Sequence, residues 1–210
     1  MRIGLIGAGH IGSTLAYLCA EAGDDVAIAN RHGPDTLHEL EVGLGRRVHA
    51  ATPGEAARFG EIVVLAVPFG QYRDLPAAEL NGKTVIDASN YYPQRDGRFA
   101  ELEDGHVTSS ELVQRELPGA HVVKAFNAMR WDHLRSYGHS AGANRRYGIP
   151  VSADDAEAKW KVFDLVEQLG FEPVDAGGLA DGGRKHQPGT PVYTADLWAE
   201  DLRERVGVDA

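Results

Sequence analysis

Cysteine is almost absent. The 210-residue chain has one, Cys19, which excludes an internal disulfide framework and any metal site built from several thiolates. Long hydrophobic runs are missing as well. No stretch approaches the ~18 continuous apolar residues of a membrane span, and the N-terminus lacks the apolar run of a secretory signal. Basic residues are the minority, with 21 Lys and Arg against 31 Asp and Glu and a net charge of −10. Such a surface repels phosphate backbones, so nucleic acid is not an expected partner. These absences lead to the expectation of a cytoplasmic chain with no membrane and no nucleic acid as partner. The histidines have no metal-ligand spacing: His133, His139 and His186 read as exposed loop residues, and no metal is expected. Cys19 falls in a helix-like segment and reads as a small buried hydrophobe.

Apolar residues are plentiful. They make up 43% of the chain, enough for one sizeable core over residues 1–210. Strand-length apolar runs occur at 2–6, 25–29, 47–50, 62–67, 84–87, 121–125, 148–151 and 172–175. Several are near-continuous Val, Ile, Leu and Ala, as expected of strands covered on both faces. Amphipathic segments at 11–22, 36–44, 110–116, 154–169 and 194–206 read as helices, with Ser152 or Asp154 capping the fourth and Gly170 stopping it. The alternation predicts a doubly wound, mostly parallel α/β sheet with a short C-terminal helical segment. Two loop-rich stretches, 90–104 and 177–191, interrupt the pattern. Long loops in compact domains are often functional.

Gly7-Ala8-Gly9-His10-Ile11-Gly12 fits G-x-G-x-x-G between a predicted strand and a predicted helix. In that context the motif is a Rossmann dinucleotide signal. Gly7 permits the turn, Gly9 lets a pyrophosphate approach the backbone, and Gly12 allows close helix–strand packing, while the N–H groups of His10, Ile11 and Gly12 face the phosphates. The second strand ends in Asn30-Arg31-His32. NAD-specific folds usually carry a carboxylate there. Here none repels a 2′-phosphate, and Arg31, aided by His32, can pair with one. The expected cofactor is therefore NADP(H).

The ends of later strands complete the expected cleft. Ala66, Val67 and Pro68 follow the fourth strand, Ser89 and Asn90 the fifth, and Lys124, Ala125 and Asn127 belong to the sixth. Ala66, Val67 and Pro68 are read as ribose contacts, and Ser89, Asn90, Ala125 and Asn127 as nicotinamide-side contacts. No nucleophile–base pair stands out. Asn90, Asn127 and Lys124 are the candidate catalytic residues. Hydride transfer relies mainly on positioning two rings.

With these residues identified, the chain resembles the F-420-dependent NADP oxidoreductase family. The resemblance rests on Gly7–Gly12, Asn30-Arg31, Val64–Pro68, Val85–Asn90, Val123–Asn127 and Gly170–Gly178. The Val-Lys-Ala-Phe-Asn run is also similar to the cytosolic reductase domain of transmembrane metalloreductases. The resemblance implies hydride transfer between NADPH and a small-molecule acceptor, either coenzyme F-420 or a flavin, held near loops 90–104 and 177–191. The alternatives are an NADPH-dependent reductase of a small carbonyl or imine and a non-catalytic NADPH-binding sensor. An open nicotinamide face suggests closure by a second subunit, so a homodimer burying Leu197, Trp198 and Leu202 is expected.

Overall fold

All eight apolar runs become strands of one sheet. They are β1 (Arg2–Ile6), β2 (Asp25–Ala29), β3 (Val48–Ala51), β4 (Ile62–Leu65), β5 (Thr84–Asp87), β6 (His121–Lys124), β7 (Gly148–Ala153) and β8 (Glu172–Gly177). The structure, a computed structural model, describes residues 1–139 and 143–207. The strand order is β3-β2-β1-β4-β5-β6-β7-β8. Every pairing is parallel except β6 with β7. This is the expected doubly wound, mostly parallel α/β sheet. Its strand order reverses between β1 and β4, and folds of this kind bind ligands at such a point, outside the carboxyl ends of the strands. No helix among the described residues is long and apolar enough to cross a membrane.

Helices cover both faces. Ile3, Leu5, Val26, Ile28, Val64 and Ile86 form one core with Leu15, Cys19, Val162 and Leu165 of the His10–Glu21 and Ala156–Gln168 helices. Burial pushes the Cys19 thiol pKa up and keeps it protonated. On the other face, Ala27, Val63, Leu65 and Val85 meet Ala56, Ala57, Leu112 and Val113 of the Pro53–Phe59 and Ser109–Glu116 helices. The Pro53–Phe59 helix falls outside the amphipathic segments expected to be helical. Its signal was present, because Thr52 and Glu55 form a reciprocal capping box with proline in the first turn.

Several boundaries move for local reasons. The helix expected from Ser152 or Asp154 is capped by Asp155, whose Oδ1 accepts from the Ala158 N–H at 2.7 Å. Asp154 instead accepts from the Leu179 N–H, and Ser152 lies inside β7. The C-terminal helix runs Ala199–Val206, not from 194. Thr194 and Asp196 have positive φ, and Trp198 stacks on Tyr147 at 4.0 Å, so this stretch runs beside the start of β7. The helix then packs on its own sheet. Leu202 is 1% exposed and packs against Gly148, whereas Leu197 and Trp198 stay half-buried. The two loop-rich stretches also contain short helices, Pro93–Asp96, Ala100–Glu103 and Asp181–Lys185.

Candidate functional site

The three motif glycines do three different jobs at the end of β1. Gly7 has φ +114°, and a Cβ there would lie 2.4 Å from the Ala66 carbonyl oxygen. A Cβ on Gly12 would lie 1.8 Å from the Gly7 carbonyl oxygen. Both are dictated by the fold itself. Gly9 is exposed, and a Cβ there would meet nothing within 4 Å. Packing therefore does not require Gly9, and its bare surface opens at the start of the His10–Glu21 helix. That helix has no side-chain cap and no acid in its first turn. Its first N–H groups have no intrahelical partners and sit at the positive end of the dipole. Ile11 is half-buried, whereas His10 is exposed and stacks on Trp131 at 4.8 Å. These features fit the pyrophosphate of a dinucleotide.

The turn after β2 is internally braced. Asn30 accepts from the His32 N–H at 2.8 Å and donates to Thr36 at 2.9 Å. Asn30 therefore shapes the turn, and Arg31 and His32 are left exposed at its tip. Their side chains lie together, with Arg31 Nε donating to His32 Nε2 at 3.2 Å. The pair makes a cationic corner with no carboxylate in its hydrogen bonds, as a 2′-phosphate requires.

At the ends of β4, β5 and β6 the expected residues divide into two groups. Ala66 and Val67 are half-buried and Pro68 is exposed beside the glycine loop. Ser89 turns inward, its hydroxyl and N–H donating to Asp87 Oδ1 at 2.6 and 3.0 Å. Lys124 is fully buried, 3.4 Å from Asp87 Oδ2 and 3.1 Å from the Ser89 carbonyl. Ser110 donates to the same carboxylate oxygen at 2.6 Å. Lys124 therefore ties β6 to β5 inside the protein. Ala125 is buried at the edge, and Phe126 follows with φ +61°, a conformation L-residues seldom hold.

Past that turn, Asn90 and Asn127 pair through two bonds. Asn127 Nδ2 donates to Asn90 Oδ1 at 3.0 Å, and Asn90 Nδ2 donates to the Asn127 carbonyl at 2.9 Å. Asn127 is buried, whereas Asn90 is half-buried. His186, expected as an exposed loop residue, is fully buried behind them and bonded to Asn127 and Ser152. The loop reading failed there because the Asp181–Lys185 helix carries His186 inward. Its signal was Gly182, where a Cβ would lie 2.6 Å from Ser152 Oγ.

The two loop-rich stretches meet next to this pair. The Tyr92 and Tyr193 hydroxyls bond to each other. Arg95 donates to the Asn90 carbonyl at 2.7 Å and lies over the Tyr92 ring at 4.9 Å, and the Tyr92 N–H donates to Asp96. Between the stretches lies a hollow of about 380 Å³, walled by Tyr91, Tyr92, Pro93, Val107 and Pro188. It is mainly apolar, partly open, and within the size range of small-ligand pockets.

Residues 2–91 match the family described as NADP oxidoreductase, coenzyme F-420-dependent. A hypothetical protein of Sinorhizobium meliloti is 33% identical, with 94% of each chain covered and a TM-score of 0.81. A protein of Arthrobacter sp. assigned as an F-420-dependent NADP-reductase is 26% identical over 99% of this chain and 96% of that one, with a TM-score of 0.75. The metalloreductase STEAP2 of Mus musculus is 25% identical over 94% of this chain, which spans 37% of that protein's length. The match over residues 2–91 identifies the dinucleotide half of the chain as that of the coenzyme F-420-dependent NADP oxidoreductase family, and the likeness to the Arthrobacter protein extends the same fold over the whole chain.

Proposed function

We propose that the protein transfers hydride between NADPH and a deazaflavin or flavin-type acceptor. The observation that carries the reading is the hollow between the 90–104 and 177–191 stretches, which adjoins Asn90 along the chain and is walled by two tyrosines and two prolines. Flat aromatic rings gain both burial and stacking from such walls. Bound NADPH would supply the hydride. The chain's residues would hold it in place: the His10–Glu21 N-terminus for the pyrophosphate, Arg31 and His32 for the 2′-phosphate, and Asn90 for the nicotinamide side. Lys124 is sequestered by Asp87, so we assign it no proton-transfer role. The reading places the protein in the cytoplasm as a homodimer, a state that sedimentation measures directly.

The test is NADPH oxidation against coenzyme F-420, FMN, FAD, ferric chelates, imines and ketones, followed by loss of the reduced-nicotinamide absorbance. The proposal expects fastest turnover with a deazaflavin or flavin. Fastest turnover with an imine or ketone would replace it with the small-carbonyl reading. NADPH binding without turnover on any acceptor would leave a sensor.

A further inference from the structure

One fully buried titratable side chain has no part in the reading above. His186 Nδ1 lies 2.9 Å from Asn127 Oδ1, and its Nε2 lies 2.9 Å from Ser152 Oγ. Its own carbonyl accepts from Asn127 Nδ2 at 2.8 Å. The donor and acceptor inventory settles every direction in this chain. An amide oxygen only accepts, so Nδ1 carries the proton. Burial, together with the positive charges of Lys124 and Lys185, holds the ring's pKa well below the usual histidine range, so it is neutral. Nε2 then accepts, and the Ser152 hydroxyl donates. Asn127 commits both amide hydrogens, one to the His186 carbonyl and one to Asn90 Oδ1. Asn90 returns one hydrogen to the Asn127 carbonyl. One N–H remains on Asn90, the only member of the set that reaches the half-buried rim.

Without this relay the Asn90 carboxamide could rotate by half a turn, offering an acceptor where it now offers a donor. We infer that His186 is a positioning residue that acts through Asn127 to keep the free N–H of Asn90 available to the nicotinamide carboxamide. The inference rests on the NADP(H) reading above. Asn127, whose hydrogens are both engaged, orients the contact; Asn90 makes it. Gly182 is part of the device, because a Cβ there would press on Ser152 Oγ and on the Ala176 carbonyl, at 2.6 and 2.5 Å. Only glycine lets the Asp181–Lys185 helix seat His186 between Asn127 and Ser152.

The experiment titrates the full chain with NADPH and with adenosine 2′,5′-bisphosphate, which keeps the 2′-phosphate and lacks nicotinamide. In His186→Ala, NADPH affinity should fall about tenfold, the scale of one lost hydrogen bond, while the bisphosphate binds as before. His186→Asn places an N–H where Nδ1 stood and should recover the wild-type ratio. His186→Gln, whose polar end reaches the Nε2 position, should not. Equal losses for both ligands in His186→Ala, or equal recovery by Asn and Gln, would overturn the inference. A wild-type chain that binds neither ligand would overturn the NADP(H) reading with it. Should the variants fail to fold, the imidazole ¹⁵N shifts of wild-type His186 decide. They should show the Nδ1–H tautomer unchanged from about pH 8 to about pH 5. An Nε2–H tautomer, or titration within that range, refutes the relay.

Discussion

Gly9 and Gly12 stand three residues apart in one motif, and the structure predicts opposite consequences for replacing them. An alanine Cβ at Gly12 would lie 1.8 Å from the Gly7 carbonyl oxygen, inside a buried turn of backbone that has no flexible end to yield. The helix would have to lift off β1, a cost of roughly 3 kcal/mol by the scale of overpacked sites. That is a large part of the ~5–15 kcal/mol stability of an ordinary domain. It corresponds to a melting temperature lower by about 6–12 °C for a chain of this length. At Gly9 the backbone is extended (φ −76°, ψ −170°), and the added Cβ meets nothing. Gly9→Ala should shift stability by less than about 1 kcal/mol. Gly9→Val should fold and yet block the pyrophosphate from the helix N–H groups. Each charge-assisted hydrogen bond lost there weakens NADPH binding about 10- to 150-fold. Thermal denaturation beside an NADPH titration separates the two effects. A folded Gly9→Val that binds NADPH like wild type would refute the assignment of the loop. So would a Gly12→Ala as stable as wild type.

Three further outcomes follow from the same contacts. Arg31→Ala should cost about 1.5–3 kcal/mol of NADPH affinity and leave NADH affinity unchanged, because only the former carries the 2′-phosphate; parallel titrations that show equal losses would reject it. Asp87→Ala should destabilise by about 3–5 kcal/mol in chemical denaturation, since it strands the buried Lys124 ammonium with only the Ser89 carbonyl. Lys124→Met should cost less, because Asp87 keeps its bonds from Ser89 and Ser110, and the reverse order would contradict this account of the pair. His186 makes stability depend on pH. Its native pKa lies well below 6.5, so the unfolded chain binds the proton first as pH falls through about 6.5. Stability is therefore full above that value and declines below it. Denaturation from about pH 7 to about pH 5 should show wild type losing ground to His186→Asn over that range.

Much of the fold was legible because its signals are local. A strand covered on both faces must be apolar along its length, so β1 through β8 stand out as runs, and their alternation with amphipathic segments identifies the doubly wound sheet. The glycine loop and the missing carboxylate at Asn30-Arg31 are likewise short-range, since each residue's role depends on neighbours within a few positions. Asn90 and Asn127 could be placed at strand ends on the nicotinamide side, but their separate roles could not be told apart. Tertiary structure alone decided that Asn127 turns inward and Asn90 outward, that Lys124 belongs to Asp87, and that His186 is buried. Those outcomes depend on partners 37 to 59 residues apart along the chain. No periodicity records such pairings, because a hydrogen bond between buried side chains constrains two residues and leaves the intervening sequence free. The early part of the C-terminal helix was lost for the same reason. Residues 194–198 have helical spacing, but Trp198 gains more by stacking on Tyr147, and that partner exists only once β7 is in place.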